Sequence, residues 1–499
     1  MKRSIMLLLV LLLSLTADSL ADVRLSSIFA DGMVLQRERP VRIWGKANVG
    51  ESVTVRFRGE ELKTVADGLG RWEVFLKPGS AGGPFELNIQ GANAIRIADV
   101  LVGEVWVASG QSNMEWSVKA SNDAEREIAA ANFPQIRFYK VEHVVADAPQ
   151  EDVKAAWQAV TPQTIGALSA VGYFFARNLH QQLKVPVAIL QAPWGGTPVE
   201  SWISPSALAA DPALLPAYSY WARILENHPT AMIRYQQAVA KGEADGKKGA
   251  RPGIPAGPGH PHAPSTLWNG MIAPIVPYAI AGAIWYQGES NGSKERAPVY
   301  HRLFSAMITD WRRAWGRADL PFAVVQLPGM DRPDWPAFRE TQRRAVADLT
   351  RAALVVTIDL GRKTDVHPPD KRPVGERLAR WAVAEARGRA GADASGPLPV
   401  GATLRPDGGV TIRFRPEGAN LRTTDGEPPR HFEVADGDGA FVAAVARIEG
   451  DTVVVTPPAG VAPRRVRYAW RPFPEPPVNL VDPDGIPAAP FEVDVVTGE

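Results

Sequence analysis

The chain has 499 residues, of which 45% are hydrophobic and 22% are charged, as in ordinary globular proteins, and this length predicts about two to four domains. The formal net charge of +1 provides no strong field, so a nucleic acid or an anionic membrane is not an expected partner. The absence of cysteine excludes disulfide bonds and lipid attachment at a cysteine.

The N-terminus has the order of charge and hydropathy that is typical of an export signal. Lys2 and Arg3 are followed by an apolar run over residues 5–15, and Ser19 and Ala21 then provide a small-x-small cleavage site. The pattern predicts a signal peptide over residues 1–21 that is removed after Ala21. We therefore expect a periplasmic or secreted protein that has no membrane contact once the signal is removed.

Residues 22–97 show a period of two that is typical of half-buried strands. Val53, Val55 and Phe57 alternate with polar residues, and turn signals such as Asp67-Gly68 interrupt the runs. This pattern predicts an N-terminal β-sandwich domain over 22–97.

Residues 98–389 alternate between apolar strands and amphipathic helices, which predicts an α/β domain with a parallel sheet covered on both faces. A segment rich in Gly and Pro predicts a loop-rich insertion around 204–265. The predicted strands cover residues 105–108, 185–190, 280–286, 321–327 and 353–360. The predicted helices cover residues 123–132, 169–183, 299–315, 337–349 and 374–387. Alternation returns over 390–499 and predicts a C-terminal β-domain.

The ends of four predicted strands are followed by polar segments whose side chains are candidates for catalysis. The first is ASGQSNMEW over 108–116, the second is QAPWGGT over 191–197, the third is QGESNG over 287–292, and the last contains TDVHP over 364–368. In open α/β sheets, ligands bind outside the carboxyl ends of the strands, so we expect these segments to converge at one edge. They supply a hydroxyl, a pair of glycines, amide and acid groups, and an Asp-x-His.

These groups are the ones that acyl transfer requires. A serine hydroxyl becomes an effective nucleophile when a base takes its proton, and an imidazole does this near neutral pH. A carboxylate can orient the imidazole, and N–H donors must face the developing oxyanion. The ordered segments therefore favour a serine esterase over a non-catalytic carbohydrate-binding protein, which has no need of this combination.

The set GQSNM, WYQGESN and DVHP, in this order, resembles the SGNH hydrolases, and specifically the sialate O-acetylesterase-like carbohydrate esterases. WGGTPVESW over 194–202 and PSTLWNGMIAP over 264–274 are similar to other segments of that family. The resemblance implies a flavodoxin-like parallel sheet and release of acetate from O-acetylated sugars through an acetyl-enzyme, without a metal or an organic cofactor. The sequence departs from the general SGNH pattern at Thr364, where the acid is expected, and at Gly288-Glu289-Ser290-Asn291, where a Gly-x-Asn-Asp is expected.

Carried over residue by residue, the resemblance implies that Ser112 is the nucleophile and His367 the base. Asp365 is the group that we expect to orient His367, although it lies two residues before the histidine and not three. Glu289 is the alternative acid, and a Ser-His dyad with a backbone carbonyl in the third role is also open.

The resemblance also implies an oxyanion hole. The expected donors are the backbone N–H groups of Ser112 and Gly196, with Gly195 as the alternative, and one side-chain amide. That amide is Gln287, which lies nearest the strand end, or Asn291.

Several aromatic and basic residues are candidates for contacts with the sugar. Trp116 and Trp194 lie beside the motifs and could stack on a sugar ring, whereas Trp285 is expected in the core. Arg362 or Arg372 could bind the carboxylate of O-acetylated sialic acid, and acetylated xylan or another hemicellulose is an alternative substrate. His260 and His262 are too few to predict a metal site, and the oligomeric state is left open.

Overall fold

The computed structural model describes residues 22–244, 252–388, 395–416 and 418–497. The predicted signal peptide over 1–21 and the predicted domain boundary at 389/390 lie outside these residues. In the described part of the chain, no helix combines the length and the apolar composition needed to cross a bilayer.

The N-terminal region consists of strands in two sheets that share one apolar core. Its alternating pattern buries every second side chain, as in Ser52–Phe57, where Val53, Val55 and Phe57 face inward. The strands are Arg24–Leu25 (β1), Val34–Gln36 (β2), Val41–Lys46 (β3), Ser52–Phe57 (β4), Glu60–Val65 (β5), Arg71–Leu76 (β6), Gly82–Gln90 (β7) and Ala94–Gly110 (β8).

Strand β8 belongs to both the N-terminal region and the large sheet that follows. Its first half pairs with β7 in the antiparallel direction, and its second half lies between two parallel strands. The predicted boundary at 97/98 therefore falls within one continuous strand of 17 residues. Periodicity changes there because the second half of the strand is buried on both faces.

The central region alternates helices and strands, and the predicted helices are observed with ends that differ by a few residues. The helices are Ser112–Glu115 (α1), Ala124–Ala129 (α2), Ala170–Leu183 (α3), Pro205–Ala209 (α4), Leu215–Ala244 (α5), Ala297–Ala314 (α6), Trp335–Ala347 (α7) and Arg372–Ala386 (α8). The strands are Phe133–Lys140 (β9), Trp157–Val160 (β10), Val187–Pro193 (β11), Gly282–Tyr286 (β12), Phe322–Val325 (β13) and Ala352–Val355 (β14).

These strands form one sheet in the order β10-β9-β11-β8-β12-β13-β14. All neighbouring pairs from β9 to β14 are parallel, and β10 pairs with β9 in the antiparallel direction. Because the strands are parallel, β8, β11, β12 and β14 all end at the same edge of the sheet.

Both faces of this sheet are buried, as the continuous apolar strands predict. Trp106 and Ala108 of β8 point into a core shared with α3 and α8, and Val105 and Val107 point into the core shared with α6 and α7. Helix α3 begins after Ser169, whose hydroxyl accepts a hydrogen bond from the N–H of Gly172 at 3.0 Å.

The structure differs from the prediction in two places. The segment predicted as loop-rich over 204–265 contains α5, a helix of 30 residues with Pro229 in its interior. Strands β9 and β10 were not predicted, because Pro134 and Arg137 interrupt the apolar pattern of β9. Strands β9 and β10 depend on pairing with other strands, which overrides local composition, whereas most side chains of α5 are exposed or half-buried.

The C-terminal region is rich in β-strands and contacts the central region through backbone carbonyls. Its strands are Leu398–Leu404 (β15), Val410–Arg415 (β16), Arg422–Thr423 (β17), Phe432–Ala435 (β18), Val442–Ala443 (β19), Val445–Glu449 (β20), Thr452–Thr456 (β21), Arg465–Tyr468 (β22), Leu480–Val481 (β23) and Phe491–Thr497 (β24). Arg339 of α7 is fully buried and donates hydrogen bonds to the carbonyl of Arg471 and, at 3.2 Å, to that of Pro472.

Candidate active site

Ser112 lies immediately after the sharp end of β8. Gly110 has a φ of 130°, and a methyl group on it would lie 2.2 Å from the carbonyl oxygen of Tyr286 in β12. Only glycine allows the two strand ends to approach so closely. The N–H of Gln111 then donates to the same carbonyl at 2.9 Å, and α1 begins at Ser112. The turn places the side chain of Ser112 beyond the strands, at the carboxyl edge of the sheet.

The hydroxyl of Ser112 and the imidazole of His367 are in direct contact. The distance from Ser112 Oγ to His367 Nε2 is 2.8 Å, although the two residues are 255 positions apart in the chain. The indole of Trp116 stacks on the imidazole, with 5.2 Å between ring centroids and 19° between ring planes. The arrangement allows the imidazole to accept the serine proton, as a nucleophile and its base require.

The environment of His367 favours its neutral form. Partial burial lowers the pKa of the imidazole below its usual 6.5, the nearby Lys371 cation lowers this pKa further, and Asp365 acts in the opposite direction. A neutral imidazole is the form that accepts a proton, so the base is ready for use at neutral and mildly acidic pH.

Asp365 lies beside His367 but makes a different contact from the one predicted. Its Oδ1 accepts a hydrogen bond of 2.9 Å from the backbone N–H of His367, and not from the ring. The spacing of two residues explains this, because an aspartate readily accepts from the N–H two positions ahead of it. The carboxylate still acts on the imidazole through its charge.

Glu289, the alternative acid, lies behind the nucleophile and contacts Asn113 instead of His367. Its Oε1 accepts a hydrogen bond of 2.5 Å from Asn113 Nδ2, and its Oε2 is enclosed without a hydrogen-bond partner among the described residues. Burial raises the pKa of this carboxyl, and the bond from Asn113 opposes that shift. Glu289 is therefore part of the support of the nucleophile turn.

The two amides that flank Ser112 connect the nucleophile turn to the other segments. Gln111 Oε1 accepts hydrogen bonds from the N–H groups of Gly288 at 3.4 Å and Ser290 at 3.2 Å. Asn113 Nδ2 donates to the carbonyl of Val366, next to His367, at 2.9 Å. The Gln-Ser-Asn triplet thus binds the third and fourth segments on either side of the serine.

The glycine pair of the second segment lies against the nucleophile. The N–H of Gly195 donates to Glu115 Oε2 at 2.7 Å, and a methyl group on Gly195 would lie 3.2 Å from Ser112 Cβ. Gly196 follows with a φ of 76°, and its carbonyl accepts a hydrogen bond of 2.7 Å from Ser290 Oγ. Because the N–H of Gly195 already has a carboxylate acceptor, Gly196 is the better candidate for an oxyanion donor.

The two candidate side-chain amides are bound to the protein. Gln287 Nε2 donates to Asn291 Oδ1 at 2.7 Å and to the carbonyl of Thr197 at 3.3 Å. Asn291 Nδ2 donates to Glu200 Oε2 at 2.9 Å, and both amides are fully buried. Their observed hydrogen bonds join the second and third segments, a role that strand position alone did not predict.

The two candidate tryptophans each have one face covered by a histidine. Trp116 stacks on His367, whereas Trp194 stacks on His143 with 4.2 Å between centroids and 8° between planes. Both indoles are half-buried. Trp285 is fully buried, as expected.

Of the remaining candidate side chains, one histidine lies beside the glycine pair. His262 Nε2 lies 3.8 Å from where a methyl group on Gly196 would be, and burial with nearby positive charge lowers the pKa of His262 to about 4. Arg372 pairs with Glu127, while Arg362 is exposed. No group of three or more potential metal ligands occurs in the described ranges of the chain.

Comparison with known proteins identifies the family. A family model described as a carbohydrate esterase, sialic acid-specific acetylesterase, matches residues 265–384. The sialate O-acetylesterase of Homo sapiens is 31% identical over 435 residues, which cover 78% of this chain and 76% of the human protein. The chain belongs to the sialate O-acetylesterase family of carbohydrate esterases.

Two further relatives agree with this membership. The sialate O-acetylesterase of Rattus norvegicus is 30% identical over 75% of this chain and 76% of its own length. The crystal structure of a carbohydrate acetylesterase from Xanthomonas citri covers 95% of this chain and 100% of its own, with 33% identity and a TM-score of 0.79. This esterase is therefore a carboxylic ester hydrolase and not a non-catalytic binding protein.

Proposed function

We propose that the protein is a serine carbohydrate O-acetylesterase that releases acetate from O-acetylated sialic acid through an acetyl-enzyme intermediate. The observation that carries this proposal is the contact of 2.8 Å between Ser112 Oγ and His367 Nε2 at the carboxyl edge of the parallel sheet. The family supplies the chemical class of the substrate, since its members named above are sialate O-acetylesterases.

In the proposed reaction, Ser112 Oγ attacks the carbonyl carbon of the acetyl group while His367 Nε2 accepts the serine proton. The oxyanion of the tetrahedral intermediate accepts hydrogen bonds from the N–H groups of Ser112 and Gly196. His367 then protonates the departing sugar oxygen, which leaves an acetyl ester on Ser112. Water attacks this ester with His367 again as the base, and acetate is released with the serine restored.

We assign Asp365 the third role in this mechanism. Its negative charge favours the imidazolium that forms when His367 accepts a proton, and its hydrogen bond to the His367 N–H anchors the turn. Glu289 is assigned to the support of Asn113, because its observed contact is with that amide.

For the sugar, we propose that Trp194 presents the indole face not covered by His143 to the ring of the substrate. Trp116 has its indole against His367, so its role is to position the base. No metal or organic cofactor has a part in these steps.

We also propose the finer features of fold and location that the sequence predicts. The parallel sheet is assigned to the SGNH, flavodoxin-like arrangement, with N- and C-terminal β-domains bounded near 97/98, where strand β8 continues from one region into the next, and near 389/390. Export with cleavage after Ala21 is tested by N-terminal sequencing of the protein recovered from the periplasm or medium of the producing bacterium. Recovery of the protein in the membrane, with residues 1–21 still present, would contradict it.

Acetylated hemicellulose remains the second candidate substrate. One observation favours it, namely that Arg372, a candidate for the sialate carboxylate, is paired with Glu127. The test is acetate release from O-acetylated sialic acids and from acetylated xylo-oligosaccharides in parallel. We expect the higher kcat/KM on the sialic acids, and a preference for the xylo-oligosaccharides would overturn the choice of sugar.

The role of Ser112 is tested by Ser112→Ala on p-nitrophenyl acetate and on the preferred sugar. We expect kcat to fall by a factor of about 1,000 or more, because the residual rate then depends on binding and the oxyanion donors alone. Ser219→Ala, on the exposed face of α5, is the matched control and should keep full activity. Equal activity in the two variants would overturn the serine mechanism.

A further inference from the structure

Lys371 is a buried cation directly behind the catalytic pair, four residues after His367. The residue is 1% exposed, and its Nζ donates to Asn113 Oδ1 at 2.5 Å. The same Nζ lies 5.8 Å from the ring centroid of Trp116 and 5.5 Å from that of Tyr286. Burying a lysine is costly unless its charge has partners, so its position requires an explanation.

The Lys371 ammonium binds one end of the Asn113 amide, and two acceptors bind the other end. An ammonium group has only donors, so it must meet the Oδ1 of the amide and not its Nδ2. The opposite end, Nδ2, is then directed at the carbonyl of Val366 at 2.9 Å and at Glu289 Oε1 at 2.5 Å. Asn113 follows Ser112 and Val366 precedes His367, so this amide joins the two turns that carry the proposed nucleophile and base.

We propose that Lys371 is a positioning residue that fixes the Asn113 amide and thereby holds the Ser112 turn and the His367 turn in contact. The inference rests on the proposed serine mechanism and adds to it a group that touches neither the substrate nor the reacting atoms. Without the ammonium, Asn113 Oδ1 loses its donor, and the amide is held only by the bonds from Nδ2 to Val366 and Glu289.

The ammonium also acts on the imidazole through its charge. The groups that face it are the carboxylates Glu289, Asp365 and Asp370 and the imidazole of His367. Burial lowers the pKa of Lys371 to about 7, and the three carboxylates oppose that shift. The lysine is therefore charged at the mildly acidic pH at which His367 takes up a proton, and it opposes that uptake.

The test is Lys371→Met, which keeps an unbranched side chain of nearly the same length and removes the donors and the charge. We expect kcat on p-nitrophenyl acetate to fall about 10- to 100-fold with KM changed by less than about twofold, because the reacting atoms are misplaced whereas Lys371 itself does not contact the ester. The acidic limb of kcat/KM against pH should move to higher pH, because a positive neighbour of the imidazole is lost.

Lys363→Met is the matched control. Lys363 lies in the same loop, is half-exposed, and pairs at the surface with Glu475, so its removal should leave both kcat and the pH profile unchanged. Wild-type kcat and an unmoved acidic limb in folded Lys371→Met would overturn the proposal.

Asn113→Ala provides a second arm that does not depend on the folding of Lys371→Met. We expect it to lower kcat to a similar extent, and the double variant to be little worse than either single one, because the two residues act in series. Full activity in Asn113→Ala, or additive losses in the double variant, would overturn the proposal. If Ser112→Ala kept its activity as well, the proposed function itself would have failed.

Discussion

Two nearby charges of opposite sign shift the pKa of His367 in opposite directions. This pKa sets the pH range in which the proposed base is active. Burial and Lys371 favour the neutral imidazole, whereas Asp365 favours the imidazolium. A base must be neutral before the reaction and charged during it, so both influences are useful at different steps. The acidic limb of kcat/KM should therefore lie below pH 6.5, the usual pKa of the ring.

Asp365→Asn separates the charge of Asp365 from its hydrogen bond. The amide oxygen can still accept from the His367 N–H, but the negative charge that raises the imidazole pKa is lost. We expect the acidic limb to move to lower pH, opposite to the shift in Lys371→Met, and kcat to fall about tenfold or more as imidazolium stabilisation weakens. The measurement is a kcat/KM profile against pH for both variants, and shifts in the same direction would contradict this assignment.

At the residue scale, the order of the motifs predicted the Ser112–His367 contact, but not the partners of the other polar groups. The two amides Gln287 and Asn291 both follow β12, and only the packed structure reveals that they bind each other. Lys371 was missed because a lysine four residues after a histidine usually indicates a solvated loop. Its burial depends on Asn113, which lies 258 positions away in the chain.

At the scale of elements, the site depends on strand ends that meet at one edge of the sheet. Strand β8 carries the nucleophile turn and is flanked by β11 and β12, which carry the second and third segments. The apolar runs predicted these strands because a parallel sheet buried on both faces selects continuous apolar residues. Helix α5 was not predicted, since the Gly and Pro residues nearby obscured its pattern.

Gly110→Ala tests the close approach of β8 and β12. The new methyl group would lie 2.2 Å from the carbonyl oxygen of Tyr286, in a backbone conformation with φ of 130° that alanine rarely adopts. We expect the free energy of unfolding to fall by about 3 kcal/mol or more and esterase activity to be lost.

Gly292→Ala is the control for this prediction. A methyl group on Gly292 has its nearest neighbour at 3.4 Å, and the φ of −77° suits any residue. Chemical denaturation and activity of the two variants provide the comparison. A stability of Gly110→Ala equal to that of Gly292→Ala would mean that the strand ends are not packed as described.

At the scale of the whole molecule, the C-terminal region contacts the loop that follows β13. The N–H of Met330 in that loop donates to the carbonyl of Pro472 at 2.9 Å, and Arg339 joins the loop to residues 471–472. The guanidinium of Arg339 is fully buried and donates to carbonyl oxygens of both regions, and this burial lowers its pKa to about 9. Alternation predicted the C-terminal β-region, but a buried arginine on α7 has no signature in the local sequence.

Arg339→Met tests this contact between regions. The carbonyl of Arg471 would lose the guanidinium donor, whereas those of Pro328 and Pro472 keep donors in Trp335 and Met330. We therefore expect a loss of about 1–3 kcal/mol in the free energy of unfolding, measured by chemical denaturation.

Arg344→Met, on the same helix, is the matched control. Arg344 is exposed and shares Glu340 with Arg343. Its hydrogen bond to the C-terminal region, to the carbonyl of Glu492 at 3.2 Å, lies at the surface, so its loss should cost less than about 1 kcal/mol. Equal losses in the two variants would contradict the special role of Arg339.

The central claim is that Ser112 forms a covalent ester with the acetyl group while His367 acts as its base. The most direct measurement is mass spectrometry of the enzyme quenched during turnover of an acetyl ester, followed by peptide mapping. We expect an acetyl group on the peptide that contains Ser112, absent from Ser112→Ala. Full turnover without any acetylated peptide, or acetylation at another residue that persists in Ser112→Ala, would contradict the claim.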